Sequence, residues 1–240
     1  MKRHHHDLNR CTHIHRSIID TYRQDFGKYA RKYQIKYLDV VFDQIPRLMG
    51  GKLVYSQVSG EYRSRDLRPA LALLLKAGVA HSVVQSSGSG IPLGAGGRPD
   101  KFKILFLDIA LAQTLMGVET KSWILEPQTH FVNKGAITEA FVGQEFLAYA
   151  PSDMKKQLCY WHREARASSA EVDYLIQKND RIFPVEVKSG SPGTLRCLRH
   201  FLDSHSNISY GIRFSAMNYH VGGDIHNYPL YAVAKVARSC

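Results

Sequence analysis

The apolar positions of this chain first recur at helical spacing. From Tyr22 the pattern is helical, and Tyr37, Leu38, Val41, Phe42, Ile45 and Leu48 form one core-facing stripe that Gly50-Gly51 ends. Residues 52–59 have a strand-like centre. Over residues 63–77 Leu67, Leu71, Leu74 and Leu75 recur at helical spacing, and Gly78 stops the helix. The period then shortens: residues 79–85 alternate as a strand, a Gly, Ser and Pro-rich loop fills 86–99, and 102–107 reads as the returning strand of a long hairpin.

Helix, turn, helix and two-stranded wing is the element order of a winged-helix module. The loop 86–99 lacks GxxxxGK[ST] and its prolines oppose a helix start, so it reads as a wing tip and not as a nucleotide loop. A short helix over 108–116 and a connector over 123–133 follow, which predicts a boundary near residue 120. Beyond it come a helix at 134–149, strands at 157–163, 171–177 and 182–188, and a helix at 193–204 with Leu195, Leu198, Phe201 and Leu202 on one side. Strands at 209–217 and 228–236 close the chain. The expected fold is α/β (α+β), with a mixed central sheet in an αβββαβ core. Three regions result: a polar, histidine-rich lead over 1–30 that is flexible or partner-docked, a winged-helix module over 31–119, and a second domain over 120–240.

The chemistry concentrates in residues 171–188. Asn179-Asp180 makes a two-residue hairpin turn, so Lys178 faces Arg181, Tyr174 faces Val185, Asp173 faces Glu186 and Glu171 faces Lys188. Alternation puts Val172, Tyr174 and Ile176 with Val187, Val185 and Phe183 on a buried face, and Glu171, Asp173, Glu186 and Lys188 on the other. Opposed carboxylates repel unless something offsets them. A divalent cation such as Mg²⁺ or Mn²⁺ does so, with the Val187 carbonyl and water as further ligands. Lys188 then stands where it orients or deprotonates a water or neutralises phosphate charge. The hairpin alone fits a metal site and a solvated charged face equally. Glu139, beside Gly135 and Gly143 on the preceding helix, is a further candidate ligand or water-positioning acid.

Charge adds a second candidate. The 240 residues hold 32 Lys and Arg against 21 Asp and Glu, a net charge of +11 that favours an anionic partner such as nucleic acid. The first 103 residues hold 18 basic against 8 acidic side chains and the remainder 14 against 13, so the basicity is expected in the winged half. Arg63, Arg65 and Arg68 fall early on the would-be recognition helix, and Arg98, Lys101 and Lys103 flank the wing. That placement suits phosphate contacts or a docking surface for another protein. Cys11, Cys159, Cys197 and Cys240 are far apart and form no CxxC pair, which indicates neither a zinc ribbon nor a disulfide framework. No apolar run reaches membrane-spanning length and no secretory signal is readable, so a cytoplasmic protein is expected.

Residues 135–142 (GAITEAFV), 160–163 (YWHR), 171–174 (EVDY) and 184–190 (PVEVKSG) resemble the PD-(D/E)XK restriction-endonuclease-like domain. More closely, they resemble the C-terminal region of bacterial and archaeal AAA+ ATPases that carry the domain of unknown function 4143. Residues 22–25 (YRQD), 53–56 (LVYS), 92–94 (PLG) and 103–108 (KILFLD) are similar to the winged-helix part that precedes it there. The resemblance implies a nuclease-type site with Asp173 and Glu186 as metal-binding acids, Lys188 as catalytic lysine and Glu139 as helix acid. It also implies DNA as the partner. No residues match that family's P-loop domain, so nucleotide hydrolysis is not expected of this chain and an ATPase domain or subunit is an expected partner.

Overall fold

A computed structural model describes residues 7–121, 134–150, 157–164, 169–178, 180–190 and 194–239. The chain forms two compact units, Met1–His81 with Ile104–Asn133, and Ser82–Lys103 with Lys134–Cys240. The expected boundary near residue 120 is therefore replaced by an exchange: 82–103 belong with the second unit and the chain returns to the first at Ile104. The expected connector over 123–133 lies outside the described residues.

The first unit is helical. Helix α1 (Leu8–Tyr29) occupies most of the stretch expected as a lead. The Asp7 side chain caps it, accepting from the Arg10 N–H at 3.0 Å. Its buried residues Thr12, Ile19 and Phe26 lie seven apart, a narrow stripe that the histidines and arginines around it hide in the composition. Helix α2 (Ile35–Leu48) buries Leu38, Val41, Phe42 and Ile45 as the spacing predicts. Phe42 meets Phe26 edge-on at 5.4 Å between ring centroids and Phe106 at 5.3 Å. Arg23 of α1 ion-pairs with Asp39 at 3.2 Å and with Asp43. Residues expected to form a strand near 52–59 instead make the one-turn helix α3 (Tyr55–Val58). Helix α4 (Ser64–Lys76) buries Leu67, Ala70, Leu71 and Leu74. It is followed by Gly78 at φ 71°, where only glycine is unstrained. Asp108 caps α5 (Ile109–Leu115) through the N–H groups of Ala110 and Leu111 at 2.8 and 2.9 Å.

Among the described residues, eight strands form one mixed sheet: β1 (Ala80–Ser86), β2 (Gly97–Phe106), β3 (Leu158–Arg163), β4 (Ala170–Lys178), β5 (Arg181–Val187), β6 (Gly211–Ser215), β7 (His220–Gly222) and β8 (Ile225–Pro229). The order is β2-β1-β3-β4-β5-β6-β8-β7. Strands β1 and β3, β5 and β6, and β6 and β8 pair parallel, and the hairpins β3-β4, β4-β5 and β7-β8 are antiparallel. The strands expected as a wing are thus part of a larger sheet, because residues 83–85 of β1 pair with 158–160 of β3. Adjacent Val83 and Val84 are both buried, the pattern of a strand covered on two faces. The expected wing tip is also packed: Leu93 is buried, donates its N–H to the Gln177 side chain at 3.0 Å and accepts from the Ser86 hydroxyl at 2.8 Å. Moving 82–103 moves charge as well. The first unit carries 16 basic against 10 acidic side chains and the second 16 against 11, so the basicity is not confined to the first half.

Helices α6 (Lys134–Tyr149) and α7 (Arg196–Ser204) cover opposite faces of the sheet. Phe146 of α6 meets Tyr174 at 5.8 Å and Phe214 at 6.0 Å, whereas Leu198, Phe201 and Leu202 of α7 pack with Trp161, Val172, Leu175 and Ile182. The end of the chain departs from expectation: β8 stops at Pro229, and Val233–Ser239 is a helix, α8, that buries Val233 and Val236.

Register decides which side chains reach the site. Lys178 pairs with Arg181 and Tyr174 with Val185, as the turn predicts, with Asp180 at φ 59°. Against β3, however, Cys159 pairs with Leu175 and Trp161 with Val172, so two steps on β3 match three on β4. This bulge places both Asp173 and Tyr174 opposite Tyr160. Val172 therefore shares a core with Leu175, while Tyr174 turns to Phe146. The single buried face expected for Val172, Tyr174 and Ile176 does not form.

Candidate functional site

The acids and lysine expected as one set form two linked sets. In the first, Lys103 enters from β2 and is 2% exposed. Its ammonium lies 2.9 Å from Glu139 of α6, 2.5 Å from Glu171 and 3.9 Å from Asp173 of β4, with the Tyr160 ring centroid at 5.2 Å. In the second, Glu186 is 5% exposed and ion-pairs with Lys188, which pulls that lysine away from the partner expected for it, Glu171. Asp173 joins the sets: its Oδ2 accepts the N–H of Val187, the residue between Glu186 and Lys188, at 2.7 Å. Helix α6 is held over the site by the Tyr174 hydroxyl, which donates to the Glu139 carbonyl at 2.8 Å.

Lys103 is accordingly not a surface residue flanking a wing. Buried among three carboxylates, it has no ammonium to offer a nucleic-acid backbone, so it does not stand with Lys101 as the spacing predicts. Burial alone lowers a lysine pKa, but Glu139, Asp173 and Glu171 outweigh burial and raise that of Lys103. Burial pushes Glu139 up to about 8, with the charge of Asp173 adding and that of Lys103 opposing. Burial and Asp173 push Glu186 up to about 7, and Asp173 itself is raised by burial against the pull of Lys103 and the Val187 N–H. Lys188 is held above its ordinary value because the Glu186 hydrogen bond and charge outweigh burial. Four carboxylates thus meet two ammonium groups, and burial together with the charge of Asp173 holds protons on Glu139 and Glu186 near neutrality. Across the ladder from Glu186 stands Arg213, buried and with a lowered pKa from burial.

Four orphaned atoms lie here. Glu186 Oε2, the Tyr160 hydroxyl, and Nε and Nη2 of Arg213 are enclosed and meet no hydrogen-bond partner among the described residues. Among those residues, no three acidic, histidine or cysteine side chains converge as a ready metal cage, because the carboxylates nearest one another already surround Lys103.

The candidate phosphate-contacting residues of the first unit are outward-facing. Arg63, Arg65 and Arg68 are exposed at the start of α4, with Arg65 3.9 Å from Asp66 and Arg68 5.3 Å from the Tyr55 ring centroid. In the second unit Arg98 is exposed, and half-buried Lys101 pairs with Glu164 at 3.3 Å. Sequence reasoning missed the central place of Lys103 and the roles of Tyr160 and Arg213. The one signal was a lysine directly before Ile104, Leu105 and Phe106, a run whose residues are all buried. No helix of the described residues is long and apolar enough to cross a membrane.

Residues 134–233 match the model of a domain of unknown function, DUF4143, which spans α6 to the start of α8 and includes Glu139, Asp173, Glu186 and Lys188. Residues 2–122 match a second domain of unknown function, DUF8612. No curated protein and no solved structure matches the chain. With that second match covering half its length, the chain belongs to the DUF8612 family and carries a DUF4143 domain after it.

Proposed function

We propose that this chain binds DNA and hydrolyses phosphodiester bonds with a divalent cation, its second unit being a PD-(D/E)XK-like domain. The observation that carries the reading is the linked pair at the open end of the β4-β5 hairpin, Asp173 on the Val187 N–H and Glu186 on Lys188. The residues fit a hard cation: the buried Glu186 Oε2 lacks a partner among the described residues, and carboxylates outnumber ammonium groups around it. Asp173 and Glu186 would hold Mg²⁺ or Mn²⁺, which supplies a polarised water and charge neutralisation at the scissile phosphate. Lys188, with its raised pKa, stays protonated near neutrality and acts as a fixed positive charge for the developing phosphate charge. It is a poor base in that state. Glu139 positions Lys103 and, through it, Asp173. Arg63, Arg65 and Arg68 contact backbone phosphates. An ATPase domain or subunit is the proposed protein partner, on the resemblance stated above.

Lys103 favours a second reading. An ammonium among three carboxylates does the electrostatic work of a resident cation, which suits a nuclease-like domain that binds DNA or protein without turnover. Nicking of supercoiled plasmid in Mg²⁺ or Mn²⁺ separates the two, comparing wild type with Asp173→Ala and Lys188→Ala. The hydrolytic reading expects metal-dependent nicking by wild type that both substitutions abolish. Equal nicking by all three proteins, or none by any, overturns it.

A further inference from the structure

On the face of the sheet covered by α7, a cavity of about 580 Å³ lies between the loop after β1, the end of β3 and α7. That volume is in the range of small-ligand sites, roughly 300–1,000 Å³. Gln85 of β1 donates its Nε2 to the His162 carbonyl at 2.9 Å, which fixes its Oε1 as a free acceptor, and that oxygen is enclosed without a partner among the described residues. His200 of α7 presents a second enclosed atom, Nε2, in the same condition. Nearly all enclosed polar atoms in folded proteins are hydrogen-bonded, so two orphans among the residues of one cavity wall point to ligand groups that complete them.

The rest of the lining has a matching chemistry. Trp161, 6.0 Å from the His200 ring between centroids, supplies an aromatic wall braced by Phe201 at 5.2 Å. Arg98, Lys101 and Arg163 supply three fixed positive charges, against Glu164 as the only carboxylate among the lining residues. A flat group that both donates and accepts hydrogen bonds, joined to an anion, satisfies all of these at once. Among biological ligands that is a nucleotide.

We propose that this cavity holds a single nucleotide unit, its base toward Gln85, His200 and Trp161 and its phosphate toward Arg98 and Arg163. The proposal rests on the DNA-binding reading for its biological setting and gives that reading a subsite. His162, which lines the cavity, stands opposite Glu171 in the β3-β4 ladder, and Lys101 lies two residues before Lys103 on β2. Two lining residues therefore share strands or a ladder pair with members of the acid cluster. Either a free nucleotide or a residue of a single strand has this chemistry.

The test is binding to the full chain in EDTA, by calorimetry or ligand-observed NMR, with dAMP, deoxyadenosine, inorganic phosphate and a short single-stranded oligodeoxynucleotide as probes. The expected result is binding of dAMP or the oligonucleotide well above both fragments, weakened about tenfold or more by His200→Ala and by Arg163→Ala. Tighter binding of the oligonucleotide assigns the strand as the source, and tighter dAMP the free nucleotide. The exposed Arg98→Glu serves as a third variant that leaves the core alone. Phosphate binding equal to dAMP, or nucleotide binding that none of the variants changes, overturns the proposal. Because Asp173, Glu186 and Lys188 are untouched and no divalent cation is present, loss of the nuclease reading and loss of this site are separate outcomes.

Discussion

In the first unit Arg63, Arg65 and Arg68 stand in solvent at the start of a helix; in the second, Lys103 is buried against Glu139, Glu171 and Asp173. Both units hold 16 basic side chains, with nearly equal acids. What differs is the solvent around them. An exposed arginine costs the fold little and is free to neutralise phosphate, at a strength that salt sets. A buried ammonium is bound to its neighbours, and its removal strands charges that water no longer reaches. Net charge therefore says little about function until each charge has been located.

The largest effect should come from breaking the buried set. Lys103→Met leaves three carboxylates without their cation, and the stability measured by urea denaturation should fall by about 3–5 kcal/mol. Arg65→Ala in the first unit should stay within about 0.5 kcal/mol. Equal losses would erase the contrast between the units.

Acidity probes the same set without substitution. Glu139 and Glu186 have folded-state pKa values of about 8 and about 7, above their ordinary value of 4.5. The folded form thus binds protons that the unfolded form has released, and the stability this contributes is present at pH 4.5 and lost as pH rises through 7 and 8. Without divalent cation the melting temperature of the second unit should fall by several degrees between pH 5 and pH 8.5. A flat or rising profile would mean that the carboxylates are not buried together.

For the exposed set the readout is salt. Replacing Arg63, Arg65 and Arg68 with Ala should reduce the slope of log K against log salt for duplex DNA by about 0.9 for each phosphate that is no longer neutralised. An unchanged slope places the DNA-binding surface elsewhere. The smallest change belongs to Lys101→Ala, whose half-exposed pair with Glu164 contributes about 0–1 kcal/mol to stability.

Much of the second unit was legible because its elements are apolar-rich runs set off by polar and turn residues: the helix at 134–149 and the strands on either side of the hairpin fall where the sequence puts them. The pairing of Tyr174 with Val185 followed from turn chemistry alone. What failed was long-range. Nothing local to residues 79–107 tells a hairpin wing from two strands of a larger sheet, because the partner of β1 lies more than seventy residues away in β3. The bulge opposite Tyr160 was likewise invisible, since it arises from pairing between strands and not from either strand alone. Lys103 was read as a surface cation because its three acidic partners come from α6 and β4, distant in sequence. The part of α1 before Tyr22 was missed for a different reason: Thr12, Ile19 and Phe26 form too thin a stripe to stand out among charged neighbours.

The most direct measurement is a calorimetric titration of Mn²⁺ into wild type, Asp173→Asn and Glu186→Gln at pH 7.5, with circular dichroism to verify that each is folded. Saturable binding by wild type, weakened about tenfold or more in both variants, is the expected result for carboxylates that hold a cation beside Lys188. Binding equal in all three folded proteins, or no binding by wild type, would contradict a metal-dependent site at Asp173 and Glu186 and leave Lys103 as the sole cation of the cluster's core.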